Sequence, residues 1–336
     1  MAVNGCETDT QTAVPLIADG IRGQVAEFKL VVRQVERVAE SVVAVTLSDP
    51  DGGDLPAWDP GAHISISLPI GVERQYSLCG DPTDHTRWRI AVLEHPAGGG
   101  GSRYIHHILA VGDLLCVRGP SNLFVMHDAD AYLFLAGGIG ITPILPMVRH
   151  AHSVGKPWRL VYGGRTSAAM AFLDELDAYG DNVVAWPQDE RGLIDLETVI
   201  DAVDHGTQIY CCGPVGLIDA VEQRCDELPT GTLHIERFDA TVAPPATDEP
   251  FEVYLRHSDL VLTVDKDQTI VAALEAAGVG VATSCMKGTC GTCLTDVIDG
   301  IPDHRDSVLS ESERASNEYM MICCSRALSP RLVLDL

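Results

Sequence analysis

Positive charge is scarce in this chain: 23 lysines and arginines stand against 48 aspartates and glutamates, a formal net charge of −25 at pH 7. A field of that sign repels nucleic acid and anionic lipid, which excludes both as electrostatic partners and suits a basic protein partner better. The opening residues do not read as a secretory leader: MAVNGCETDTQTAVPLIADG has neither a basic n-region nor a long apolar core, so the cytoplasm is the expected location. There is one long uncharged run, AYLFLAGGIGITPILPMV at 131–148, and its glycines and prolines describe a buried strand, turn and helix instead of a membrane span. No internal repeat is present. His106, His107, His150, His152 and His304 lack any spacing that demands a metal, and are read as structural or solvated.

What is present is a globular composition, 46% hydrophobic over 336 residues, enough for two or three domains of about 100 to 150 residues each. The 11 cysteines are an odd number and unevenly scattered. In a reducing compartment that favours metal ligation over a disulfide framework.

Three patterns follow one another along the chain. Residues 1 to about 25 are polar and small, as in a loose tail. Between 26 and 128, the runs FKLVVRQVERV, SVVAVTLSD, HISISLPI, RQYSLCG, RWRIAVLEH and DLLCVRGP alternate apolar residues between turns, which predicts a small antiparallel β-barrel. From 129 to 240, strands alternate with helices: AYLFLAG, then a glycine turn and a helix; WRLVYGGR and a helix AFLDELDAYG ending at Gly180; NVVAWPQ and a helix DLETVIDAV; TQIYCCGP and a helix VGLIDAVEQRCDEL. That alternation predicts a parallel sheet with helices on its faces. The proline-rich TVAPPATDEP at 241–250 reads as a linker. Beyond it, 251–336 predicts a small α+β domain: a hairpin FEVYLRH/LVLTVD, a helix TIVAALEAAG, a cysteine loop, and strands LTDVID, MMICCS and RLVLDL.

Cys285, Cys290 and Cys293 are spaced CxxxxCxxC, with Cys323 thirty residues later. This is the plant-type [2Fe–2S] pattern, in which four thiolates hold two irons. A short loop around such a cluster turns its amides toward the sulfurs, and Gly288 and Gly291 permit the positive φ this needs. A structural zinc site prefers CxxC pairs at both ends, and only one pair is here. Cys323 and Cys324 are adjacent; in a strand they face opposite ways, so one of them is the fourth ligand.

GGIGITP at 137–143 follows a strand and opens a helix, an arrangement that sets free amides and the positive helix end against a pyrophosphate. An ordinary tight turn fits the same residues. IYCCGP ends a later strand, and strand carboxyl ends form the ligand crevice of such sheets, which places Cys212 in the crevice and Cys211 in the core. In RQYSL, Arg74 and Tyr76 share one side of a strand and Ser77 takes the other; a guanidinium suits a phosphate and an aromatic ring suits a planar heterocycle.

Taken in order, RxYS, GGIGITP, YGGR, CCGP and the C-terminal plant-type cysteine loop resemble the phthalate dioxygenase reductase family over about residues 27–336. The resemblance implies a multidomain β and α/β protein: an FMN-binding β-barrel at 26–128, an NAD-binding α/β domain at 129–240, a linker at 241–250 and a β-grasp ferredoxin-like domain at 251–336. It implies FMN contacts from Arg74, Tyr76 and Ser77, with Arg74 near the phosphate. Gly101 and Ser102, in GGGGSRYIHH, would hold that phosphate through their amides. Gly137, Gly138, Gly140, Thr142 and Pro143 correspond to the pyridine-nucleotide loop. Cys212, Gly213 and Pro214 correspond to the segment beside the nicotinamide, and Phe238 to the aromatic that covers the flavin. Cys285, Cys290, Cys293 and Cys323 become the cluster ligands. Two positions depart from the family: Met286 and Lys287 replace an acidic residue after the first cluster cysteine, and Leu93 and Glu94 stand where basic residues are common.

The implied activity is electron transfer from NADH through FMN and the [2Fe–2S] cluster to a partner terminal oxygenase, a Rieske non-haem iron oxygenase or O-demethylase before a cytochrome P450. No general acid or base is required for that role, and no mononuclear-iron domain is present. The competing readings are a zinc-stapled binding protein and a stand-alone flavin-dependent quinone or nitro reductase. Arg165 and Ser167 leave NADPH open, but no basic cluster follows them.

Overall fold

The computed structural model describes residues 26–95, 100–204, 206–226, 228–229, 231–238, 249–283, 286–289, 291–309 and 311–336. The chain divides into two compact units, Met1–Glu236 and Arg237–Leu336. The amino-terminal tail, most of the expected linker, Cys285 and Cys290 lie outside the described residues.

Six antiparallel strands begin the first unit: β1 (Glu27–Ala39), β2 (Val42–Ser48), β3 (Ala62–Leu68), β4 (Val72–Ser77), β5 (Trp88–Leu93) and β6 (Leu114–Asn122), with α1 (Gly101–His107) between the last two. Their order is β4-β3-β6-β1-β2-β5, and a bridge from Leu78 to Ile90 joins the two edges, closing the barrel the alternation predicted. Strand β1 serves two partners, β6 over Glu27–Val31 and β2 from Val31 on, and register shifts after Val32 and Arg37 bend it between them. Leu30, Val45, Ile64, Ile66, Leu78, Trp88 and Val117 fill the interior.

A parallel sheet follows, built from β7 (Ala131–Gly137), β8 (Trp158–Gly164), β9 (Val183–Pro187), β10 (Thr207–Cys212) and β11 (Leu233–Glu236) in the order β11-β10-β7-β8-β9. Helix α2 (Ile141–Ser153) covers one face; α5 (Leu196–Asp201) and α6 (Val215–Cys225) cover the other. The strand order reverses between β7 and β10, which makes their carboxyl ends the switch point where ligands of open α/β sheets bind. The expected helix AFLDELDAYG is broken: α3 is the single turn Leu173–Leu176, continued by a 3₁₀ stretch over Asp177–Asn182, and α4 is the turn Gln188–Arg191. Buried Phe172 takes a left-handed φ of 64° and Gly180 one of 55°, so the helix can neither start earlier nor run straight to its end.

The second unit holds a mixed sheet, β13-β12-β18-β14-β16, from β12 (Phe251–Leu255), β13 (Leu260–Val264), β14 (Leu294–Asp299), β16 (Tyr319–Met321) and β18 (Arg331–Leu334). Strands β12 and β18 are parallel, and Ile270, Val271 and Leu274 of α7 (Ile270–Ala276) join the core of the sheet. A two-stranded ribbon, β15 (Pro302–Asp303) and β17 (Arg326–Ala327), and α8 (Glu311–Ser316) complete it. The expected strand MMICCS stops at Met321. Cys324 and Ser325 both donate backbone bonds to the Met321 carbonyl, so the two cysteines sit in a turn.

One ionic cluster ties the barrel to the parallel sheet. Glu175 of α3 accepts from Arg89 of β5 at 2.7 and 3.0 Å and pairs also with Arg149 of α2, whose other nitrogen donates to the Cys79 and Gly80 carbonyls at 2.9 and 2.6 Å. Burial pushes the Glu175 carboxyl up, but the two guanidinium groups outweigh it and hold it below the ordinary range. A depressed carboxylate adds stability above its unfolded pKa, and loses it as pH falls through the folded value. Glu175→Gln is expected to lower the unfolding free energy at neutral pH by about 1–2 kcal/mol, less than a fully buried pair because the side chain stays 37% exposed. In acid, denaturant curves of the two proteins should converge.

Candidate functional site

The barrel brings Arg74 and Gly101 together, although they lie on different elements. A β-carbon on Gly101 would meet Arg74 Cγ at 3.0 Å and Nε at 3.5 Å, so the arginine stem rests on the start of α1. One guanidinium nitrogen donates to the Glu73 carbonyl at 2.7 Å. Ser102 Oγ takes the amide of His95 at 3.0 Å, which ties the helix start to the end of β5. Tyr76 is half-buried beside Arg74, and burial pushes its phenol up to about 12. Glu94, at the departure from the family pattern, is bonded to His107 Nε2 at 2.6 Å.

At the switch point the turn after β7 and the turn after β10 are in backbone contact. A β-carbon on Gly140 would lie 2.2 Å from the Cys212 carbonyl oxygen, and one on Gly137 would lie 2.6 Å from Pro214 Cδ. Only glycine fits such an approach. Thr142 is buried and spends its hydroxyl on the Ile139 carbonyl at 2.9 Å; the Tyr162 hydroxyl donates to the Gly138 carbonyl at 3.2 Å. Pro143 lies buried in the first turn of α2, and Gly213 packs on Gly137. Arg165 leaves β8 at the same sheet edge, where its carbonyl accepts from Asp189 at 3.1 Å, and Ser167 opens a short 3₁₀ turn.

Three side chains from two sheets converge here. Ser77, at the end of β4, and Cys212, at the end of β10, both bond the carboxyl group of Glu236, at the end of β11; the Cys212 Sγ to Glu236 Oε2 distance is 3.9 Å. Cys211 packs in the core on the opposite sheet face, as strand alternation requires. Cys212 stands at the carboxyl end of β10, at the switch point, and is fully buried there beneath α2 and Glu236. Burial pushes the Cys212 thiol well above its ordinary value, and Glu236 adds to the effect. Burial likewise pushes Glu236 up to about 8, against the two hydrogen bonds that favour its charged form. Reading the sequence missed Glu236. Its signal lay in HIERF, where a carboxylate ends a short strand two residues before the singled-out Phe238, which is 36% exposed. It missed His63 too, which stands opposite Ser77 in the β3–β4 register and which burial pulls down to about 4.

In the second unit, Cys293 and Cys323 are 4% and 2% exposed and belong to one apolar cluster. The Ile322 amide donates to the Cys293 carbonyl at 3.4 Å, so residues thirty apart in sequence become neighbours. Two buried thiols at one spot, beside a loop in which Met286, Gly288 and Gly291 all take positive φ, fit a thiolate-held cluster. Cys324 is half-exposed, against the Gly288 backbone.

The raised pKa of Glu236 has a definite sign. A folded-state value of about 8 against 4.5 means that stability from the neutral form is present at low pH and is lost as pH rises through about 8. Glu236→Gln should therefore melt higher than the parent above about pH 8, with the gap closing toward pH 4.5. A gap constant across a series of thermal melts would mean that Glu236 titrates normally.

The oxidoreductase NAD-binding domain family matches residues 134–223, and the 2Fe-2S iron-sulfur cluster binding domain family matches residues 253–328. The phenoxybenzoate dioxygenase subunit beta of Ectopseudomonas oleovorans is 41% identical over 93% of this chain and 98% of its own length. The solved structure of phthalate dioxygenase reductase, described as a modular structure for electron transfer from pyridine nucleotides to [2Fe-2S], is 35% identical, with a TM-score of 0.72 over 92% of this chain and 98% of that one. An intact type IV self-sufficient cytochrome P450 monooxygenase is 42% identical with a TM-score of 0.83 over 92% of this chain, which spans only 41% of that protein. The resemblance drawn from the motifs is thus borne out: the chain belongs to the phthalate dioxygenase reductase family, as an NADH-dependent flavin iron–sulfur oxidoreductase whose cofactors are FMN, NADH and a [2Fe–2S] cluster.

Proposed function

We propose that this chain is the cytoplasmic reductase of a Rieske non-haem iron oxygenase, working as three functional modules over residues 26–128, 129–240 and 251–336. The observation that carries the reading is the convergence of Ser77, Cys212 and Glu236 where the barrel meets the switch point of the parallel sheet. That is the place at which a barrel-held flavin ring and a sheet-held nicotinamide have to meet. The flavin, when bound, converts a two-electron hydride into single electrons, and the cluster passes them on one at a time.

The chain's own residues do the binding and positioning. Arg74, held against Gly101, supplies charge to the FMN phosphate, and the Gly101 and Ser102 amides add neutral donors. Tyr76 lies along the flavin and Phe238 covers it. Gly137, Gly138, Gly140, Thr142 and Pro143 hold the dinucleotide, and the Cys212–Pro214 turn backs the nicotinamide. Ser77 and Cys212 orient the half-buried Glu236 carboxyl, which keeps a proton up to about pH 8 and so leaves an uncharged wall beside the reacting ring. Cys285, Cys290, Cys293 and Cys323 ligate the cluster.

The Rieske partner is favoured because the phenoxybenzoate and phthalate relatives, matched along nearly their whole length, are named for dioxygenases. A cytochrome P450 is the second reading, supported by the likeness to the P450 monooxygenase. Anaerobic NADH titration should bleach the flavin and raise a rhombic reduced-cluster signal in electron paramagnetic resonance. A flavin that bleaches without that signal in fully iron-loaded protein would point to a stand-alone flavin reductase. Adding a purified Rieske oxygenase component and a bacterial P450 in turn should discharge the signal faster with the first; the reverse order would select the second reading. Arg74→Gln should weaken FMN binding about tenfold to a hundredfold, the worth of one charged hydrogen bond, as read by flavin fluorescence after ultrafiltration.

A further inference from the structure

Beneath the cluster loop lies a group of buried polar side chains that the electron path does not use. His304 follows β15 with its side chain 10% exposed, and Asp306 is fully buried. Asp306 Oδ2 accepts the amides of Val308 and Leu309 at 3.1 and 2.8 Å, but among the described residues Oδ1 makes no hydrogen bond. Among the described residues neither ring nitrogen of His304 has a well-formed hydrogen bond, the backbone of Arg314 being the one acceptor that acts on the ring, and its Nδ1 stands 3.8 Å from that same Oδ1. Each such atom costs about 1–3 kcal/mol when left unsatisfied, so a purely structural pair would have closed the gap or become apolar.

The pair is joined directly to the cluster loop. Gly288 lies between Cys285 and Cys290, and its carbonyl accepts from the Ser307 amide at 2.9 Å and the Ser307 hydroxyl at 3.4 Å. A β-carbon on Gly288, whose φ is +73°, would meet Asp306 Cα at 2.8 Å. Among the described residues, the charges facing His304 are Asp306, Asp303 and Arg314 of α8. Arg314 donates to the Asp306 carbonyl at 2.7 Å and stands 4.0 Å from Oδ2, while Asp303 is engaged by Arg305 at 2.6 and 2.8 Å.

We propose that His304 and Asp306 form a proton-binding site coupled to the cluster, in which His304 takes up one proton when the cluster takes up one electron. The inference rests on the cluster assignment. Burial pulls His304 below the ordinary imidazole value; the Asp306 charge and a hydrogen bond to the Arg314 backbone oppose that effect, and the Arg314 charge reinforces it. A negative charge added to a cluster held by that loop would favour the imidazolium, whose Nδ1–H would then satisfy Asp306 Oδ1. The electron arrives from the flavin and the proton from solvent, so the net change in charge is zero.

The test is a potentiometric titration of the holoenzyme followed by electron paramagnetic resonance, from about pH 5 to about pH 9. In the parent, the reduction equilibrium should weaken by up to tenfold per pH unit through a window opening below the ordinary imidazole pKa, equivalent to about 59 mV per unit for one electron. His304→Gln should flatten that dependence. Asp306→Asn, which keeps the oxygen accepting the two amides but loses the anion, should move the window to lower pH and serves if the first variant misfolds. A pH-independent parent, or a slope that His304→Gln retains, overturns the proposal. A parent with no rhombic signal at all overturns the cluster assignment, and the proposal with it.

Discussion

Everything at the proposed reacting centre depends on a backbone approach that leaves no room for a β-carbon. The turn after β7 and the turn after β10 touch through Gly140 and the Cys212 carbonyl, and Gly137 lies under Pro214. Because the strand order reverses between these two strands, the contact falls at the open edge of the sheet. It carries Cys212 to the spot where Glu236 ends the neighbouring strand and Ser77 ends a barrel strand. A side chain at Gly140 would part the turns and scatter all three.

The scarcity of cations, 23 in 336 residues, gives weight to where they are used. Arg89 and Arg149 converge on Glu175 and on the Cys79 carbonyl, bonding a strand of the barrel to two helices of the parallel sheet. Arg326, 6% exposed, donates to the carbonyls of Gln268, Asp265 and Glu249, with its guanidinium 5.1 Å from the Phe251 ring centre. These arginines work as internal fasteners in which planar, multi-donor geometry matters more than net charge. The acidic excess remains for the surface, where it bears on the choice of partner.

Ionisable groups drawn partly out of water recur at both proposed redox positions. Glu236 lies beside the expected flavin and nicotinamide, and Asp306 with His304 lies beside the cluster loop. In each case a group that prefers water is held by only part of the hydrogen bonding it can use. Electron transfer changes local charge, and such groups respond to charge in a way that an apolar wall does not.

The sequence by itself determined the element types, the order of the modules and the cluster motif. Strand alternation over 26–128, strand–helix alternation after 129 and the CxxxxCxxC spacing are local patterns, set by side-chain periodicity and the chemistry of thiolates. Tertiary structure alone decided the rest. The closing bridge from Leu78 to Ile90, the break of the helix at Phe172 and Gly180, and the turn that takes Cys323 and Cys324 out of a strand all depend on contacts distant in the chain. So does the raised pKa of Glu236, which comes from the strand ends of β4, β10 and β11 that meet around it. His304, indistinguishable from a solvated histidine in the sequence, becomes distinctive only once folding buries it 3.8 Å from an unsatisfied carboxylate oxygen. Periodicity is written along the chain, whereas burial and partnership arise from which distant segments meet.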